Sequence, residues 1–270
     1  MSLIGRWLMQ AKPSFRERMG RLAARLDWLS CAERLELDLD PRPEYGWPML
    51  RQAYVAKRLG LPGYTAIEFG VAGGNGLLAM EAHARRIEAA TGVRIDVVGF
   101  DTGEGLPYSD DSRDHAYAWS RGDFVMDVER LLDRLTTARL VLGNVADTVR
   151  PAVHDLSSPV GFLSFDLDFY SATKNALALF DAPPAAFMPR VTCYFDDVIG
   201  GVELAYTHFA GELLAIVDFN ANHPDIKIDR GLGVQRARPA LWLQKLYVAH
   251  LFRHPLYSVR AVPSADLSLK

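Results

Sequence analysis

The chain has 270 residues, 49% hydrophobic and 23% charged, which suits one large α/β domain or two small ones with a sizeable core. Its formal charge of −3 excludes a uniformly basic nucleic-acid binder, and two cysteines, Cys31 and Cys193, are too few for a disulfide framework. No uncharged apolar run reaches the length of a membrane span and the N-terminus lacks a secretory h-region, so a cytoplasmic protein is expected. The small net charge is a sum of opposed regions. Residues 1–30 carry six basic side chains against Glu17 and Asp27; residues 95–130 carry nine acids against three arginines; residues 226–270 carry eight basic groups against two acids.

In chain order, Phe15, Met19, Leu22, Leu26 and Leu29 recur at helical spacing and predict one apolar stripe. It is expected to pack on the main domain or on a second copy of the chain, which makes a homo-oligomer the expected assembly. Trp7 and Leu8 beside Arg6, Lys12, Arg16 and Arg18 also suit peripheral contact with a membrane surface. The prolines of DLDPRPEYGWP (38–48) predict a linker, dividing the chain into an N-terminal extension, 1–45, and a main domain, 46–270. Apolar β-rich runs follow at 64–69, 95–100, 139–142, 160–165 and 191–195. Helical patterns lie between them at 76–91, closed by Gly92, at 125–137, and at 171–180 with Ser171 as N-cap. Continuous apolar strands separated by helices predict a doubly wound α/β fold, with ligands at the carboxyl ends of a mostly parallel sheet.

Three features carry chemistry. The first strand ends in Glu68 and runs into Gly70, Gly73, Gly74 and Gly76 (EFGVAGGNG), where glycines let backbone approach a ligand and a helix start offers free N–H groups. The second strand ends in Asp101, placed to accept hydrogen bonds from both hydroxyls of a ribose. The fourth runs into Asp166 and Asp168, which point the same way if the strand continues, and the fifth into Asp196 and Asp197. Crowded carboxylates favour a hard divalent cation, and nicotinamide chemistry needs no such cluster.

Together EFGVAGGNG, GFDTGEGLP, DLDFYSATKNAL and YFDD, in this order over about residues 62–200, resemble the class I S-adenosylmethionine-dependent methyltransferases, closest to the macrocin O-methyltransferase-like group. The resemblance implies a Rossmann-like seven-stranded fold with an S-adenosylmethionine donor held by Glu68, Gly70, Val71, Ala72, Gly73, Gly76, Asp101 and Thr102. Asn144 and Val145 would stand beside the adenine and Asp166 at the reacting end. It further implies a divalent ion, Mg²⁺, on Asp166, Asp196 and Asp197, and a small hydroxylated acceptor such as a sugar or glycosylated metabolite. Catechol-type relatives carry a lysine three residues after the first metal aspartate, where this chain has Phe169.

Asp166 and His208 are the expected acid–base groups; Glu203 and Glu212 flank His208 on an expected helix. Asp101, Glu104, Asp110, Asp111 and Asp114 are expected as an acidic lid over the sulfonium, and Arg230, Arg236, Arg238, Lys245 and Arg253 as a basic tail. The residues alone also accommodate a metal-dependent hydroxylase or hydrolase, or a catalytically inactive binding or assembly protein on the same scaffold.

Overall fold

The computed structural model describes residues 28–115, 117–232, 234 and 239–261. The expected N-terminal stripe, apart from Leu29, lies outside the described residues, as do Arg236 and Arg238. Among the described residues no helix is long and apolar enough to cross a membrane.

Helix α1 (Cys31–Glu36) opens on a capping box: Ser30 Oγ accepts from Glu33 N while the Glu33 carboxylate accepts from Ser30 N. Helix α2 (Pro43–Arg58) replaces the linker expected at 38–48 and runs through residues 45 and 46, where the sequence suggested a boundary. Pro43 stands at the first helical position, where its missing N–H would be unpaired in any case. Pro48 lies inside the helix and costs about 3 kcal/mol. Tyr45, Met49, Leu50, Ala53 and Ala56 are buried in the core beneath the sheet, and each large side chain among them contributes roughly 1.5–3 kcal/mol. Burial therefore overrides the local propensity of the proline.

The sheet has seven strands: β1 (Gly63–Phe69), β2 (Arg94–Asp101), β3 (Arg139–Leu142), β4 (Val160–Phe165), β5 (Phe187–Phe195), β6 (Ile226–Arg230) and β7 (Leu246–Leu251), in the order β3-β2-β1-β4-β5-β7-β6. Only β7 runs against its neighbours. One face packs against α2 and α3 (Asn75–Thr91), the other against α5 (Val145–His154), α6 (Tyr170–Leu177) and α7 (Gly211–Asn222). This is the doubly wound architecture expected from the sequence.

Helix α3 matches its expected span and ends on Gly92, whose φ of 75° needs no Cβ strain. The pattern at 125–137 yields only α4 (Val128–Leu132). Helix α6 is capped by Phe169 rather than Ser171; Ser171 donates through its N–H and hydroxyl to Asp114 instead. Strand β5 begins at Phe187, earlier than expected, because Pro189 falls in the register shift of the β4–β5 ladder, where a missing N–H is tolerated.

Glu81 ties α3 to the segment entering β3. Its Oε1 accepts from the amides of Thr136, Thr137 and Ala138 and from both threonine hydroxyls. Burial alone would raise this carboxyl, but those donors bring it down to about 2. A folded-state value below the unfolded one gives stability that is present above pH 4.5 and lost as pH falls from there toward 2. We expect Glu81→Ala to cost about 3 kcal/mol at pH 7 and much less at pH 2.5, measured by urea unfolding at both values.

Candidate functional site

The carboxyl ends of β1, β2, β4 and β5 share one design. Phe100, Phe69, Phe165 and Phe195 are register partners across the sheet, with adjacent ring centroids 5.1, 5.2 and 4.4 Å apart. This buried aromatic row fixes the strand ends at one level. The next residues are then Asp101, Gly70, Asp166 and Asp196, and the amides of Gly70, Asp166 and Asp196 extend the ladder at 2.9 Å. Above the row lies a cleft of about 320 Å³.

One half of the cleft is built from Gly70, Ala72, Asp101, Thr102, Gly143, Asn144 and Val145. Asp101 Oδ2 accepts from Val71 N and Ala72 N, both at 2.8 Å, and Oδ1 accepts from Gly103 N at 2.7 Å. The carboxylate thus shapes the glycine loop and keeps lone-pair capacity toward the cleft. Gly70 has φ +83°, and a Cβ there would stand 1.8 Å from the carbonyl oxygen of Asp166. Gly70→Ala is therefore expected to lower stability by about 3 kcal/mol, read from the urea midpoint, because neither backbone can move independently.

Glu68, expected at the donor, lies beneath the loop and does not line the cleft. Its Oε1 accepts from Tyr45 Oη at 3.1 Å, and a Cβ on Gly76 would meet the same oxygen at 1.8 Å. Burial, then the charge of Asp166, pushes this carboxyl well above the usual range. Glu68 and Gly76 therefore act together as the packed support of the loop. Val71 and Gly76 are likewise buried behind the lining and Gly73 is exposed outside it, whereas Gly70, Ala72, Asp101, Thr102, Asn144 and Val145 reach it.

The other half carries Asp166, Asp168, Asp196 and Asp197. The chain leaves strand geometry after Phe165, so Asp166 and Asp168 do not share a strand face as expected. Asp168 instead adopts a left-handed φ of 59°, a strained conformation for a side chain other than glycine, and so turns back to the cleft. Asp196 Oδ1 accepts from Tyr194 Oη at 2.7 Å and from Lys245 Nζ at 2.9 Å. Asp197 accepts from Tyr206 Oη at 2.8 Å and from Asp168 N at 3.1 Å. Glu212, fully buried on α7, accepts from Asp197 N at 3.0 Å and holds that turn.

Burial raises the carboxyls of Asp166, Asp168 and Asp197, and repulsion raises them further, from Asp196 on Asp166 and Asp197 and from Asp197 on Asp168. Among the described residues no three His, Cys, Asp or Glu side chains converge on one point as metal ligands. The set expected for Mg²⁺, Asp166, Asp196 and Asp197, is thus brought to one cleft, but two members are occupied by Tyr194, Lys245, Tyr206 and the Asp168 amide.

His208 is exposed on the turn before α7, not on a helix, and does not line the cleft. Glu203 lies exposed in a short 3-10 turn. The expected acidic lid is corrected as well. Asp114 is buried and accepts from Ser109 and Ser171, and Asp111 pairs with Arg113. The residues of that segment that face the cleft are instead Leu106, Pro107, Trp119 and Phe124, which the sequence reading passed over. Phe169 is buried at the start of α6 and supplies no base.

No family model matches the chain, and no curated protein matches it. Solved structures do. A calicheamicin methyltransferase, CalS11, is similar at 22% identity, with a TM-score of 0.51 over 89% of this chain and 94% of that one. The O-methyltransferase NovP is similar at 17% identity, with a TM-score of 0.48 over 78% of this chain and 81% of that one. An O-methyltransferase from Bacillus cereus in complex with SAH is similar at 14% identity, with a TM-score of 0.36 over 89% and 90%. The first of these likenesses shows the fold: the seven-stranded, mostly parallel sheet flanked by helices is the Rossmann-like α/β fold that this chain shares with that methyltransferase structure.

Proposed function

We propose that the protein is an S-adenosylmethionine-dependent O-methyltransferase acting on a hydroxyl of a small polyhydroxylated acceptor, a sugar or glycosylated metabolite. The observation that carries this reading is the two-part cleft, in which the acid at the end of β2, hydrogen-bonded to the glycine loop, faces a cluster of partly and fully buried carboxylates. Gly70, Ala72, Asp101 and Asn144 would hold the donor, with Asp166 in the adjoining half of the same cleft. Methyl transfer is an in-line displacement, so the protein must align acceptor oxygen, methyl and sulfur and ease removal of the hydroxyl proton.

Asp166 suits the proton-accepting role. It is half-buried in the cleft wall, no protein group donates to its carboxylate among the described side-chain hydrogen bonds, and its raised proton affinity matches a base working near neutrality. Lys245 and Tyr194 hold Asp196, and Tyr206 holds Asp197, so that the neighbouring carboxylates keep their places beside the acceptor.

Asp166, Asp196 and Asp197 offer the oxygen donors a hard divalent ion takes, but such an ion would have to displace Tyr194 and Lys245 from Asp196 and Tyr206 and the Asp168 amide from Asp197. The Lys245 ammonium on Asp196 marks where positive charge is already accepted. When bound, such an ion would lower the pKa of the acceptor hydroxyl. Dialysis against EDTA decides between an ion and a protein base: a loss of methyl transfer of about tenfold or more, restored by Mg²⁺, would put an ion on the cluster in place of Asp166 as the proton acceptor. Undiminished transfer after chelation would assign deprotonation to Asp166 alone. The donor reading is tested by calorimetry: micromolar binding of S-adenosylhomocysteine supports it, and absence of binding with or without Mg²⁺ overturns it.

A further inference from the structure

Trp119 lines the cleft, and its indole N–H is buried without a hydrogen-bond partner among the described residues. A buried tryptophan N–H ordinarily finds an acceptor, so this one requires an explanation. Phe124 lines the same wall, its ring centroid 5.5 Å from that of Trp119, and holds a left-handed φ of 67° that a phenylalanine adopts only at a cost. A residue strained in this way while half of its ring stays exposed is not there to fill a core.

Backbone hydrogen bonds place this aromatic pair. Leu106 N donates to Asp123 O at 2.8 Å, Gly122 N to Leu106 O at 2.9 Å, and Met126 N to Gly103 O at 3.3 Å. Gly103 N in turn donates to Asp101 Oδ1. The stretch from Gly122 to Met126, which carries Phe124, is therefore tied by its backbone to the loop after β2 that holds Asp101 and Thr102, while just before Trp119 the Tyr117 hydroxyl donates to Leu204 O and His115 packs on Tyr206.

Resting on the donor reading above, we propose that Trp119 and Phe124 form a nucleoside-binding wall of the donor site. The Trp119 N–H donates to a polar atom of the donor's nucleoside, and the two rings cover it from the side opposite the glycine loop. The ligand class is an adenosine-type nucleoside carrying a 5′-sulfur, and the acceptor does not take part.

The test measures binding of S-adenosylhomocysteine and of 5′-methylthioadenosine, which lacks the amino-acid end, by calorimetry. Trp119→Phe keeps an aromatic ring and removes the donor; we expect both dissociation constants to rise about fivefold. Phe124→Ala, at a half-exposed position, is expected to weaken both without loss of thermal stability. Wild-type affinity in both Trp119→Phe and Trp119→Ala overturns the proposal. A loss seen with S-adenosylhomocysteine but not with 5′-methylthioadenosine overturns the nucleoside assignment. If the wild-type protein binds neither compound, the donor reading itself falls and this inference with it; wild-type binding combined with unaffected variants overturns the inference alone.

Discussion

Replacing Asp166 by Asn is expected to lower kcat about a thousandfold while leaving the dissociation constant of S-adenosylhomocysteine within a few-fold of its original value. The reason is the division of labour we propose within the cleft: Asp101, tied to the glycine loop, would hold the donor's ribose, whereas Asp166, in the acidic half, would stand at the reacting end. The wild-type profile of kcat should rise with pH through an apparent pKa above the ordinary carboxylate range, because burial and then Asp196 and Asp197 raise Asp166. Stability should move the other way. A carboxyl whose folded pKa lies above its unfolded value favours folding less and less as pH rises through that interval. Asp166→Asn removes the burden, so the variant is expected to unfold at a higher temperature than the wild type at pH 8. A variant with full kcat, or one that loses donor binding in step with kcat, would sink the assignment of Asp166 as proton acceptor.

The second large effect is expected at Asp101. Its carboxylate receives three backbone amides of the glycine loop and the loop after β2 while presenting its remaining capacity to the cleft. Asp101→Ala should raise the dissociation constant of S-adenosylhomocysteine at least about a hundredfold, the loss of two charge-assisted hydrogen bonds, each worth roughly 1.5–3 kcal/mol. Asp101→Asn should lie between, since its carbonyl oxygen still accepts but its amide cannot accept from a loop N–H. Calorimetry on both variants, with circular dichroism to show that the sheet is intact, separates a binding defect from unfolding. Unchanged affinity in Asp101→Ala would remove the ribose contact and leave the acid as a support of the loop.

These two aspartates were legible in the sequence because both stand at the end of an apolar strand, where a doubly wound sheet places its ligands. The level of the site was legible in principle too. Each of the four central strands ends in phenylalanine followed by glycine or aspartate, as in EFG, GFD, SFD and YFD, and the phenylalanines prove to be register partners. Other parts were not. The prolines of 38–48 predicted a linker, but burial of Tyr45, Met49 and Leu50 outweighs the cost of Pro48 and yields a helix. Glu68 looked like a ligand-facing acid, yet its place under Gly76 turned it into a support. Trp119 and Phe124 carry no motif, because a wall residue is recognised by what it faces rather than by its neighbours in the chain.

The sequence by itself determined the class of fold, the glycine loop, the acid at the end of β2 and the gathering of aspartates at one sheet edge, since strand period and strand-end chemistry are local properties of the chain. Only the tertiary structure decided which carboxylates are already occupied, that His208 stays outside the cleft, and that Lys245, Tyr194 and Tyr206 brace the acidic half. Those outcomes depend on contacts between residues far apart in sequence. Pairing, burial and the raised proton affinity of Asp166 arise from that proximity, which no local pattern encodes.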